Sequence, residues 1–212
     1  MKARLSLGII LALLTALTLV AGGCSSGGGG GGGGTATVTG TAVDDGTTAR
    51  ISGAVARADG KASPPTGADG NFTIAGVRTG TRTVTVSAPN HVDQSRAVTV
   101  HSGGTTAGTF YLPPVLQAGK GAVTGIAVLA GSLVPVSGAI IEAQAGTVWV
   151  EARSHPDGRF TVYNVPAGNA QVTFYDSVSH NSAWQTVQIQ DGITKNIGTV
   201  QLGNWPPPPP PI

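Results

Sequence analysis

"DGNFTIAGVRTG" (69–80) and "DGRFTVYNVPAG" (157–168) state one pattern twice, 88 positions apart. Each opens with Asp-Gly, a hairpin turn signal, because glycine tolerates a positive φ and Asp bonds its own backbone two residues on. The residues after the turn alternate. Phe72 and Ile74 point one way and Thr73 the other, the period-two signature of a half-buried strand. The flanking segments repeat as well. "VTGTAV" (38–43) matches "VTGIAV" (123–128) at an offset of 85. "ISGAV" (51–55) matches "VSGAI" (136–140) at the same offset, and "GTFYL" (108–112) matches "GTVQL" (198–202) at 90. The order is identical and the offset drifts slowly, as loop insertions in a tandem duplication produce. Residues 36–112 and 122–202 are therefore read as two copies of one unit. "PPVLQAGKG" (113–121) is the linker, with Pro113 and Pro114 stopping the preceding strand.

Each copy reads as all-β. "RTVTVSA" sets Val84 and Val86 on one face against Thr83 and Thr85, and "QVTFYD" repeats the arrangement with Val172 and Phe174. Thr and Val dominate these segments, and β-branched side chains fit a pleated surface better than a helix. No helical periodicity follows the leader. The expected fold is two tandem seven-stranded antiparallel β-sandwiches. The second copy is expected to build its core from Val123, Ile140, Phe160, Val172 and Phe174, and residues 118–205 are expected to fold alone.

The order "VTGxAV", "SGAx", "DGxFT" and then a Val-rich strand resembles the carboxypeptidase regulatory-like domain, a transthyretin-like (prealbumin-like) sandwich. The resemblance covers both copies. Val77 and Gly80, and again Val165, Pro166 and Gly168, look like that family's turn, with Arg78 replacing the Pro in the first copy. The resemblance implies an appended, non-catalytic module.

"MKARLSLGIILALLTALTLVAGGC" carries two early positive charges, then an apolar run from Leu5 to Ala21. The small residues before Cys24 resemble a bacterial lipoprotein signal, although Ala21 stands where that signal usually has Leu. The resemblance implies a signal peptide over 1–23 and lipidation of Cys24, the only cysteine, which then has no internal disulfide partner. Two or more acyl chains hold a protein stably to a membrane. Ser25 and Ser26, with no Asp after the cysteine, resemble outer-membrane sorting. The expected localisation is thus the bacterial cell envelope. Residues 24–35 join Cys24 to Gly27–Gly34, an unbroken glycine run that reads as a flexible tether spanning about 16 Å. The tail 203–212 ends in Pro206–Pro211, a polyproline II spacer.

Charge excludes one large class of partners. Lys2 and Arg4 account for the formal excess of +2, so the rest of the chain is balanced, without a basic stripe for nucleic acid. Catalytic and metal patterns are missing as well, and no cofactor is expected. The histidines stand in "HVDQ", "HSGG", "HPDG" and "HNSA", none with a Glu three or four places on, so each reads as a loop or surface residue. "GCSSG" (23–27) fits G-x-S-x-G but lies in the tether, not between a strand and a helix. Asp44-Asp45-Gly46 reads as a turn, because it lacks the ligand spacing of a calcium loop.

The aromatic residues are distributed unevenly. Trp149, Trp184 and Trp205 all fall in or after the second copy, with Tyr163 and Tyr175. Trp184 shares its parity with Thr186 and Gln188, opposite Val187 and Ile189, and is expected to be exposed. Trp149, Trp184 and Tyr175 are the candidate ligand-binding residues. Two function classes remain: a structural or adhesive envelope lipoprotein, or a module binding glycan or peptide through these rings. The partners expected are a membrane, and a glycan or an envelope protein.

Overall fold

The computed structural model describes residues 33–204. The expected signal peptide, Cys24, most of the tether, Trp205 and the polyproline segment lie outside the described residues. The described chain is all-β, and its strands fall into two groups of seven. The first group is β1 (Thr35–Asp44), β2 (Val55–Ala58), β3 (Lys61–Ala62), β4 (Asn71–Arg78), β5 (Gly80–Ser87), β6 (Gln94–Val100) and β7 (Thr105–Leu112). The second is β8 (Lys120–Leu129), β9 (Ile140–Ala145), β10 (Val148–Arg153), β11 (Arg159–Pro166), β12 (Gly168–Tyr175), β13 (Ser182–Ile189) and β14 (Thr194–Leu202). Each group forms a three-stranded sheet, β4-β1-β7 or β11-β8-β14, and a four-stranded sheet, β3-β2-β5-β6 or β10-β9-β12-β13.

The expected sandwich is present, but it is not wholly antiparallel. β7 pairs parallel with β1, and β14 pairs parallel with β8. The last strand arrives by crossing from the other sheet rather than by turning back on the first, so the two run the same way. The Asp-Gly turns also differ from expectation. Asp69-Gly70 and Asp157-Gly158 are tight turns with φ of 66° and 78° at glycine, yet the strands they join lie in different sheets. They are corners between layers, not hairpins within a ladder. The Asp side chain acts as expected: Asp69 Oδ1 accepts from the Asn71 amide at 3.2 Å and Asp157 Oδ1 from the Arg159 amide at 3.1 Å.

The repeated words of the sequence meet at one place in each sandwich. The Gly70 carbonyl accepts from the Ala42 amide at 2.8 Å, and the Gly158 carbonyl does the same for Ala127. A Cβ at Gly70 would stand 2.6 Å from the Ala42 oxygen, and one at Gly158 2.5 Å from the Ala127 oxygen. Two residues earlier on the same first strand, Gly40 and Gly125 leave room for the rings of Phe72 and Phe160. A Cβ at Gly125 would meet Phe160 Cζ at 2.9 Å and the Gly198 oxygen at 2.6 Å. A Cβ at Gly40 would meet the Gly108 oxygen at 2.9 Å. Gly108 and Gly198 stand where the register of the parallel pair shifts. "VTGxAV", "DGxF" and "GT" are thus three sides of one contact.

Two separate cores result. Phe72 meets Phe110 edge-on at 5.8 Å, and Phe160 meets Phe174 at 5.1 Å. Val84, Val86, Val123, Val172 and Phe174 are fully buried, as alternation demands. Ile140 is a correction. It is half-buried on the outer face, while its neighbour Ile141 is buried with Ala139 and Ala143, so the strand runs one residue out of the expected phase.

Gly158→Val places a branched side chain both at positive φ and against a carbonyl oxygen. It is expected to cost about 2–3 kcal/mol or more. Asp157→Asn is expected to cost little, because Asn makes the same turn. Thermal melts of the two variants check this, and equal melting temperatures would contradict the role assigned to the glycine. Phe160→Ala empties an aromatic core site and is expected to cost about 3–5 kcal/mol by urea unfolding.

Candidate functional site

The four-stranded sheet of the second repeat has one face on the core and one outside. Strand alternation sends Val150, Ala152, Ile141, Ala143, Val172, Phe174, Ala183 and Val187 inward. The opposite parity is outward and forms rows across the sheet. Trp149 lies opposite Gln144, which pairs with Gln171, which pairs with Thr186. Glu151 lies opposite Glu142, then Thr173 and Trp184. Arg153 lies opposite Ile140, then Tyr175 and Ser182. All three candidate rings therefore share one face. Trp149 is 59% exposed, Trp184 39% and Tyr175 39%. The Tyr175 hydroxyl and His180 Nδ1 share a hydrogen bond of 3.0 Å. The corresponding face of the first repeat carries Thr81, Thr83, Thr85, Ser87 and Ser95 and no aromatic ring.

A second cluster joins the repeats, and sequence reasoning missed it. Asp44-Asp45-Gly46 does make a turn, with Asp44 Oδ1 accepting from the amides of Gly46 and Thr47 at 3.0 and 2.7 Å. That turn also docks on the second repeat. His155 Nε2 donates to the Asp45 carbonyl oxygen at 2.8 Å and stands 3.5 Å from its Oδ1. The Tyr163 hydroxyl donates to Asp45 Oδ2 at 2.6 Å, and the Arg153 amide donates to the Gly46 oxygen at 2.8 Å. The rings of Tyr111 and His155 stack with centroids 4.1 Å apart. Asp44 takes the other imidazole, His91, whose Nε2 lies 3.0 Å from Oδ2.

His155 is thus not the surface residue its "HPDG" context suggests. It is 5% exposed, and its Nδ1 has no partner among the described residues. Burial, then the hydrogen bond to Asp45, raises the Tyr163 pKa well above that of a free phenol. The linker is tied down too. Asn164 Oδ1 accepts from the Gln117 amide at 2.8 Å, and the Ala167 amide donates to the Gly119 oxygen at 2.9 Å. Asn164 holds a positive φ of 60°, where the first repeat has Gly76 at 71°. One backbone conformation is met by glycine in one copy. In the other it is met by a residue whose side chain holds the linker.

A signal for this joint did exist in the sequence: the side chains that make it differ between the copies. By the offsets of the repeat, Asp45 corresponds to Ala130, His155 to Gly67, Tyr163 to Ala75 and Tyr111 to Gln201. Beside the joint lies a cleft of about 350 Å³ lined by residues of both repeats, among them Asp45, Arg96, Tyr111 and Arg159. Both cations there are already engaged. Arg96 bonds backbone oxygens of its own repeat and lies over the Phe110 ring at 4.4 Å, and Arg159 Nε donates to Asp157 Oδ2 at 2.8 Å. No group of three or more His, Cys, Asp or Glu side chains capable of holding a metal occurs among the described residues.

Tyr163→Phe removes a hydrogen bond to a carboxylate and is expected to destabilise the protein by about 1–3 kcal/mol. It should also change the alkaline limb of stability. A raised folded pKa means that the tyrosine's contribution is complete below about pH 10, the free phenol value, and is lost as pH rises beyond it. Urea unfolding between pH 8 and 11 should show a steeper alkaline loss for the wild type than for Tyr163→Phe. Parallel profiles would contradict the joint's chemistry.

No protein-family model matches the chain, and no curated protein matches it. Solved structures do. The Bacillus anthracis TIE protein matches over 80% of this chain and 34% of its own, at 14% identity and a TM-score of 0.35. A type II cohesin–X-dockerin complex from Acetivibrio cellulolyticus matches over 35% of this chain and 52% of its own, at 25% identity and a TM-score of 0.31. The minor pilin of Streptococcus agalactiae matches over 84% of this chain and 99% of its own, at 12% identity and a TM-score of 0.33. The chain spans about a third and a half of the first two of these structures.

Proposed function

We propose that this chain is a non-catalytic envelope lipoprotein. Two carboxypeptidase regulatory-like sandwiches, over 36–112 and 122–202, are carried on a lipid anchor at Cys24 and a glycine tether. Its role is structural or adhesive display at the cell surface, from the outer membrane. The observation that carries this reading is the joint. Asp45, His155, Tyr163 and Tyr111 cross-link two complete cores directly. Some of the positions at which the copies differ hold the modules together, and others lie on an outer sheet face. A pair of modules held by part-buried polar contacts is a strut.

Metabolic labelling with radioactive palmitate in a bacterial host tests the anchor. The wild type is expected to take up label and to fractionate with membranes, and Cys24→Ala to do neither. Wild type without label would overturn the lipoprotein reading.

A further inference from the structure

The outer face of β10-β9-β12-β13 has a composition that selects its occupant. We infer that it is a binding platform for a neutral, extended polysaccharide, laid across the strands from Trp149 to Trp184. This inference rests on the proposed display role and names what the displayed surface holds.

Spacing comes first. Trp149 and Trp184 lie on the two edge strands, three strands apart and offset by two residues along the strand. With strands about 4.8 Å apart and a rise of about 3.3 Å per residue, their backbones stand roughly 15 Å apart. Tyr175 lies diagonally across from Trp184, about 7–8 Å away. One sugar ring cannot reach from Trp149 to Trp184, whereas an oligomer can stack on both. Both edge rings belong to strands with no further strand beside them in the sheet, although Ser182 at the start of β13 is bridged to Gly203.

The chemistry between the rings comes second. Gln144, Gln171, Thr173 and Thr186 occupy the middle rows with Glu142 and Glu151. These are amides, hydroxyls and carboxylates, the partners that sugar hydroxyls need, while the ring faces suit the C–H faces of a pyranose. A protein-docking surface has the opposite plan. It gathers its aromatic anchors at the centre of a desolvated patch. Here the two tryptophans stand on the edge strands, and Gln144, Glu142, Gln171 and Thr173 lie on the two strands between them.

Charge comes third. Glu142 and Glu151 are direct cross-strand neighbours, and the cation in the next row of the face, Arg153, is bonded to Glu151 at 3.0 Å. Glu142 is left to give these rows a net negative charge, which repels uronate or sulfated chains and admits neutral ones. The first repeat shows what the same scaffold looks like without this use. Ser95 holds the position of Trp184, Ser87 that of Tyr175, and Arg57 that of Glu142.

The test is retention of the full chain, purified in detergent, on microcrystalline cellulose, chitin and starch as neutral probes. Alginate and polygalacturonate serve as anionic probes, and a peptide array as the alternative. At least one neutral probe is expected to retain the wild type, with little change between low and physiological salt. Trp149→Ala and Trp184→Ala should each lower the bound fraction at least fivefold, Trp184→Tyr should restore part of it, and Ser95→Ala should change nothing. The rings are exposed, so melting temperatures should stay within a degree or two of wild type, separating lost binding from lost fold. Three results would overturn the inference: no retention on any neutral probe, retention unaffected by both Trp variants, or preference for the anionic probes. Trp-dependent capture of peptides without polysaccharide would assign the face to a protein partner instead. Palmitate labelling is independent of every arm. A labelled chain that binds no glycan leaves the display role intact, and an unlabelled chain that binds cellulose leaves this inference intact.

Discussion

The fold depends on one crowded contact, made twice. On the first strand of each sandwich a glycine lets a phenylalanine ring and a carbonyl oxygen of the last strand approach closer than any Cβ would allow. The ring comes from the strand that follows the Asp-Gly corner, and the corner's own glycine carbonyl holds the first strand two residues on. First strand, corner strand and last strand are thereby locked together at Gly40, Phe72 and Gly108, and at Gly125, Phe160 and Gly198. An interior packed to crystal-like density tolerates no added atom at such a place. The two copies have kept the same letters here because each letter removes a clash or fills the space it leaves.

Elsewhere the copies differ at many positions, the cores included, where Val86 and Phe110 answer to Phe174 and Val200, and two sets of these differences are grouped. One set gathers where the repeats meet. Asp45, Tyr111, His155, Tyr163 and Asn164 stand where the other copy has Ala, Gln or Gly, and they bond or stack across the joint or hold the linker. The other set gathers on the outer face of one four-stranded sheet, where Trp149, Trp184 and Tyr175 stand among amides and carboxylates. Part-buried polar contacts such as those of Asp45 with His155 and Tyr163 are stabilising only when both sides are present, so they bind the repeats as a matched pair. The second set faces water and adds nothing to either core.

Much of this was legible in the chain. Alternation located Phe72, Ile74, Val84, Val172 and Phe174 correctly, since a strand's two faces are a matter of parity. The same rule placed Ile140 on the wrong side, because short segments such as "GAIIEAQA" carry apolar residues at both parities and only packing selects the phase. The Asp-Gly pairs were legible as turns but not as corners between sheets. Turn chemistry is local, whereas which ladder the next strand joins depends on partners tens of residues away.

Neighbours along the chain were enough to show two copies of one β-unit, the places where each copy turns, and a Trp184 that faces solvent opposite Val187 and Ile189. Those are consequences of local stereochemistry and period-two patterning. The folded molecule was needed to show that the first and last strands run parallel, that His155 is buried against Asp45, and that Trp149, Trp184 and Tyr175 lie on one face. Each of these joins residues far apart along the chain, His155 and Asp45 by 110 positions. Contacts at that range are set by how whole sheets stack and how two folded repeats dock, and no local pattern encodes them.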